Sequence, residues 1–105
     1  MTTYFFVAAS EKFLTVEEPL EEILRERERN YKENNKEKDF WLLKNPSFLQ
    51  ANQFTDLTAK IPSPPAAVLS KDKKFITFLK LRLEFVAVGK FECPNAEIID
   101  PIKVE

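Results

Sequence analysis

Residues 71–89, KDKKFITFLKLRLEFVAVG, admit two secondary structures, and the layout of the whole chain depends on which one forms. The second half, KLRLEFVAV, alternates as a strand does. Helical phasing accounts for more of the segment. Lys73, Thr77, Lys80 and Glu84 follow one another at spacings of four, three and four, so a helix gathers them into one polar stripe and a strand scatters them. Ser70 is placed to be the N-cap, Asp72 favours a first turn, and Gly89 stands where a C-cap is expected. Lys71–Val88 is therefore expected to be a long helix. A short last strand, Lys90–Cys93, and a tail containing Pro94 and Pro101 would follow it.

Upstream, Thr3–Ala9 (TYFFVAA) is rich in aromatic and β-branched residues and carries bulk on both faces, as an interior strand does. Ser10–Thr15 reads as a connector, and Thr15 with Glu18 has capping-box spacing. A second long helix is expected to start between Val16 and Pro19 and to run to about Asn34. Its docking stripe is Val16, Leu20, Ile23, Leu24, Arg27 and Tyr31. The opposite side alternates charge, with Glu21–Arg25 and Glu28–Lys32 at i,i+4 spacing, the pattern of a solvated face. Asn34-Asn35 should break this helix.

Asp39–Lys44 (DFWLLK) reads as a strand with Asp39, Trp41 and Leu43 on one side and Phe40 and Leu42 on the other, ended by Asn45-Pro46. Pro46–Gln50 and Gln53–Lys60 read as short helical turns. Pro62, Pro64 and Pro65 form a stiff connector into a third strand, Ala66–Leu69. The order points to a two-layer α+β fold: a small four-stranded, mainly antiparallel sheet flanked by two long and two short helices.

Composition narrows function by exclusion. With 105 residues the chain fits one domain, 1–105, and its 44% hydrophobic content supplies a core. Sixteen basic residues against seventeen acidic ones leave a net charge of −1, without the electropositive field of a nucleic-acid binder. No apolar run reaches the roughly 20 residues that span a bilayer, and the N-terminus lacks a signal peptide's basic region. One cysteine, Cys93, suits a reducing compartment, and its expected state is a small buried hydrophobe. With no histidine and a single glycine, Gly89, there is neither the commonest general base nor a phosphate-cradling loop, so no enzyme, metal site or cofactor is expected.

Three places could carry function. Arg82 falls near the middle of an apolar helical arc with Phe75, Phe78, Phe85 and Val86, where a permanent charge must be paired, snorkel out or face a partner. Asp39-Phe40-Trp41 is either a strand start with its aromatics in the core or an exposed patch of acid and phenylalanine. Asp39 and Arg82 could also pair with each other. Arg27 and Tyr31 continue the docking stripe with amphipathic residues that a partner could cover.

The stretches EEPLEEILRERERNYKENNKEKDFWLLKNPSFL (17–49) and FITFLKLRLEFVAVGKFE (75–92), with YFFVAASEKFLT near the start, strongly resemble the Low Chlorophyll Accumulation A family, also known by a hypothetical chloroplast reading-frame name. The resemblance implies a four-stranded antiparallel sheet flanked by helices. It also implies a non-catalytic accessory factor of the oxygen-dependent magnesium-protoporphyrin IX monomethyl ester cyclase, on the way to protochlorophyllide. The implied partner is that enzyme's membrane-associated di-iron catalytic subunit, with other chlorophyll-biosynthesis enzymes as further partners. Membrane contact would be indirect, and the protein would be a monomer or weak homodimer in a cyanobacterial cytoplasm or plastid stroma. The implied partner patch is Asp39, Phe40 and Arg82, bordered by Arg27, Tyr31 and Phe78. Lys38 stands where the family usually has an apolar residue, and Phe78 where tryptophan is common. The alternative function is a tetrapyrrole carrier delivering the cyclase substrate or product.

Overall fold

In the computed structural model, which describes residues 1–18, 20–83 and 85–105, the first aromatic segment forms strand β1, Thr2–Ser10. The other elements are helix α1 (Glu21–Glu33), β2 (Phe40–Lys44), α2 (Thr55–Ala59), β3 (Pro65–Ser70), α3 (Lys73–Leu83) and β4 (Ala87–Cys93). The strands lie in the order β2-β3-β1-β4, every neighbouring pair antiparallel. β1 is interior, as the bulk on both of its faces requires. Val7 and Ala9 point to one face of the sheet and Phe6 and Ala8 to the other.

Both faces are covered, so the expected two-layer arrangement becomes three layers. On the first face α1 and α3 pack over Val7, Ala66, Val68 and Phe40, with Leu79 and Ile76 at the centre. On the second, the 3₁₀ turns Ser47–Gln50 and Asn52–Phe54, α2 and the C-terminal tail bury Phe48, Leu49, Phe54 and Ile98 against Phe6, Leu69 and Phe91. The short proline- and asparagine-marked segments and the tail thus form a second core.

The stretch 71–89 divides. Its helix ends at Leu83, and residues from Ala87 onward pair with β1, Ala8 opposite Ala87, Val7 opposite Val88 and Phe6 opposite Gly89. A helix running to Val88 would strip β1 of those partners and leave buried backbone polar groups unpaired, which costs more than helical phasing gains. Gly89 is therefore a strand residue, not a C-cap. A Cβ added there would meet Phe6 Cζ at 2.5 Å, and that ring is wedged among Phe48, Phe54 and Phe91. Gly89→Ala is expected to cost about 1–3 kcal/mol by overpacking, read as a lower urea midpoint with an unchanged slope.

Other local expectations are also revised. Ser70 lies in β3 and accepts the Asp72 N–H, while Asp72 accepts the Lys74 N–H and thereby caps α3. Thr15 donates to the Glu11 carbonyl instead of opening a capping box, and Phe13–Glu17 forms a π-helical turn. Val16, expected on the docking stripe, is exposed there. Asn34-Asn35 does end α1: Asn35 takes a positive φ of 53°, and the N–H groups of Asn35 and Lys36 return to the Lys32 and Tyr31 carbonyls. Pro19, expected near the helix start, and Glu84, expected on the polar stripe, lie outside the described residues.

Candidate functional site

α1 is mostly polar, and between Glu21 and Glu33 only Tyr31 is buried. Beyond the buried Leu20 at its start, the helix is fastened mainly through Arg27 and Tyr31, one turn apart. The Arg27 guanidinium bonds Asp72 Oδ2 at 2.9 Å and the Tyr31 hydroxyl at 2.7 Å. Tyr31 in turn donates to Asp39 Oδ1 at 2.9 Å. This polar chain runs from the start of α3 through α1 to the start of β2. It lies on a bed of rings: the guanidinium carbon is 3.9 Å from the Phe75 centroid, and Phe40 meets Tyr31 and Phe75 edge to face. The i,i+4 pairs Glu21–Arg25 and Glu28–Lys32 do not close; the ion pairs among the described residues are Arg27–Asp72 and Lys44–Glu11.

Burial pushes the Asp72 carboxyl up, but the Arg27 bond, the Lys74 and Phe75 backbone N–H groups and the Arg27 charge outweigh it. The net value lies below the ordinary 3.8. A depressed folded value means that the stabilisation is complete above 3.8 and disappears as pH falls through the depressed value. Acid is expected to lower the thermal midpoint over that window, and Asp72→Asn to flatten that part of the profile. Burial and then the bond to Asp39 raise the Tyr31 hydroxyl above its ordinary 10.0, so the Tyr31 contribution is present below that value and is lost as pH rises through the raised one.

The second feature is the outer flank of α3. The sheet takes Phe75, Ile76, Leu79 and Leu83, which leaves much of the wide apolar arc uncovered. Phe78 is 50% exposed, Leu81 75% and Phe85, just past the helix end, 81%. Val88 on β4 is also exposed. Arg82 stands exposed among them, and among the described residues no carboxylate lies within ion-pair distance of it. Adjacent large apolar side chains around an exposed arginine are the composition of an interaction surface. A hollow of about 490 Å³ opens beside Phe85, lined by Phe13, Ile61, Pro62 and Val86. A groove of about 710 Å³ between α1 and α3 is lined by Ile23, Arg27, Phe75 and Phe78.

The structure separates residues that the sequence suggested as one patch. Phe40 is 2% exposed, a core ring beneath Arg27, so the exposed-patch reading of Phe40 is corrected. Asp39 pairs with Tyr31 and not with Arg82, which lies roughly 15 Å further along α3 than Asp72 at the usual rise per residue. Lys38 holds its ammonium 5.5 Å from the Phe40 centroid. Arg27, Tyr31 and Asp39 are brought together; Phe78 borders both the groove and the outer face. Sequence reasoning missed Asp72 as the partner of Arg27 and Leu81 as part of the exposed face. Nothing in the sequence signals the first, which joins residues 45 apart. The second was legible, since Leu81 lies one turn from both Phe78 and Phe85. Among the described residues no cluster of His, Cys, Asp or Glu is arranged to hold a metal, and no helix is long and apolar enough to cross a membrane.

Comparison with known proteins places these features in a family. A family model described as Ycf54 protein matches residues 2–93. A Ycf54-like protein of the cyanobacterium Synechocystis is 49% identical over 102 residues, covering 97% of this chain and 77% of that protein. The chloroplastic YCF54 protein of Arabidopsis thaliana is 38% identical over 97 residues, 91% of this chain but 45% of its own length. The solved structure of Synechocystis Ycf54 superposes with a TM-score of 0.94 at 47% identity, covering 99% of this chain and 97% of that one.

Proposed function

The chain belongs to the Ycf54 family, and on that premise we propose that it is a non-catalytic accessory or assembly factor that binds the membrane-associated di-iron subunit of the magnesium-protoporphyrin IX monomethyl ester cyclase. In this reading it supports protochlorophyllide formation in a cyanobacterial cytoplasm or plastid stroma, peripheral to the thylakoid through its partner. The observation that carries the reading is the α3 face of Phe78, Leu81, Arg82 and Phe85, more apolar than solvent exposure alone favours. Aromatic residues and arginine with little desolvation cost suit a protein contact. The test is binding of the purified protein to the immobilised di-iron subunit. Saturable binding in the micromolar range or tighter is expected, and no binding overturns the reading.

A tetrapyrrole carrier is the second reading, and the groove between α1 and α3, with Phe75 and Phe78 in its wall, is what favours it. Its cations Arg27, Arg29 and Lys74 are matched by Glu26, Glu33 and Asp72, so little net charge is left to draw a propionate. Titration with magnesium-protoporphyrin IX monomethyl ester separates the two. A saturable spectral shift without subunit binding would favour the carrier.

A further inference from the structure

We propose that Asp39 is a positioning residue, which serves partner recognition through Tyr31 and Arg27 by holding α1 beside the docking face of α3. The inference rests on the docking reading above and changes what the start of β2 does in it. Asp39 is half-buried, and one of its carboxylate oxygens is occupied by the Tyr31 hydroxyl. Its backbone carbonyl accepts the Lys71 N–H at 3.0 Å, which fixes it to the entry of α3. The next residue, Phe40, is buried under the Arg27 guanidinium, 5.4 Å from it, and has no surface to offer a partner.

The tether matters because, past Leu20, α1 has little fully buried apolar surface to hold it. Leu20 at its N-terminal cap position is buried in the core and holds the start of the helix, but Ile23 and Leu24 are only half-buried. Arg27 is turned mostly inward: it bonds Tyr31 and Asp72 and lies on Phe75, with one side left to the groove. Those contacts join α1 to the start of α3 and, through Tyr31, to the residue that opens β2. α1 supplies Ile23 and Arg27 to one wall of the groove, and Phe78, part of the exposed face, supplies the other. Releasing α1 therefore alters the surface presented around Phe78 without touching Arg82. Tyr31, Arg27 and Asp72 thus join Asp39 as one positioning unit.

A double-mutant cycle decides between contact and positioning. Tyr31→Phe leaves the Asp39 carboxylate in place and removes its connection to α1; Asp39→Asn alters the carboxylate itself. Both single variants are expected to weaken binding to the di-iron subunit by on the order of tenfold, the usual size of a lost charge-assisted hydrogen bond, and the double variant no further. In the isolated protein, amide exchange within residues 21–33 should rise by a similar factor while β1 and β3 keep their protection. Wild-type binding by Tyr31→Phe alongside a loss in Asp39→Asn would make Asp39 a contact and overturn the proposal. Unchanged α1 exchange in both variants would overturn it as well. Failure of the wild-type protein to bind the subunit is a different result: it removes the docking reading, while the exchange measurement still reports whether α1 is tethered.

Discussion

Replacing Phe85 by serine and Arg82 by alanine together is expected to weaken binding to the di-iron subunit by about a hundredfold or more, with the thermal midpoint nearly unchanged. Truncating a central aromatic or arginine commonly costs about 2 kcal/mol or more of binding energy, roughly 30-fold each, and the two effects combine incompletely. Stability should survive because both side chains are exposed and neither is part of the two cores. Surface substitutions of this kind usually stay within about 0.5 kcal/mol. A serine at position 85 also removes apolar surface from water, so the double variant should be more soluble than the parent. Titration of the variant against immobilised subunit, with a melting curve of the same sample, reads both quantities. A collapsed melting curve would mean that Arg82 is held inside the fold after all.

Phe6→Ala is expected to remove about 3–5 kcal/mol of folding stability, a large part of what a domain of this size possesses. Phe6 is fully buried, and its ring meets Phe48 at 4.9 Å, Phe54 at 5.1 Å and Phe91 at 6.3 Å. It therefore joins β1, β4 and the short 3₁₀ turns, and a cavity there has walls on three elements that cannot all collapse inward. Chemical denaturation with Trp41 fluorescence reports the loss directly, since Trp41 packs against the same core. The change opens room beside Gly89, whose Cα faces that ring across the β1–β4 pair. Gly89→Ala is accordingly expected to cost less in the Phe6→Ala background than alone.

The strands were legible where both faces of a segment are apolar, as in Thr3–Ala9 and Ala66–Leu69, because only an interior strand uses such residues twice. The boundary within 71–89 was not. Phe85 to Val88 satisfies both a helical arc and strand alternation, and what decides is the need of β1 for a neighbour, a demand made eighty residues away in the chain. Arg82 shows the same limit. Helical phasing located it within an apolar arc, but the arc is wider than the sheet can cover, and its uncovered edge becomes surface. Phe40 and Trp41 were correctly placed on opposite sides of β2, but Asp39, just before the strand, reaches Tyr31 on the Phe40 side, because α1 crosses there. The Arg27–Asp72 pair that sets this crossing has no local pattern. Residue type located the candidate site; long-range packing divided it into an exposed docking face and an inner tether.

The measurement that tests the docking claim most directly is an amide-exchange footprint of the protein with and without the di-iron subunit. Slowed exchange across residues 73–88, on α3 and the start of β4, is the expected result, with the opposite face at residues 47–59 unchanged. Protection confined to residues 47–59 and the C-terminal tail, with 73–88 exchanging as in the free protein, would contradict it.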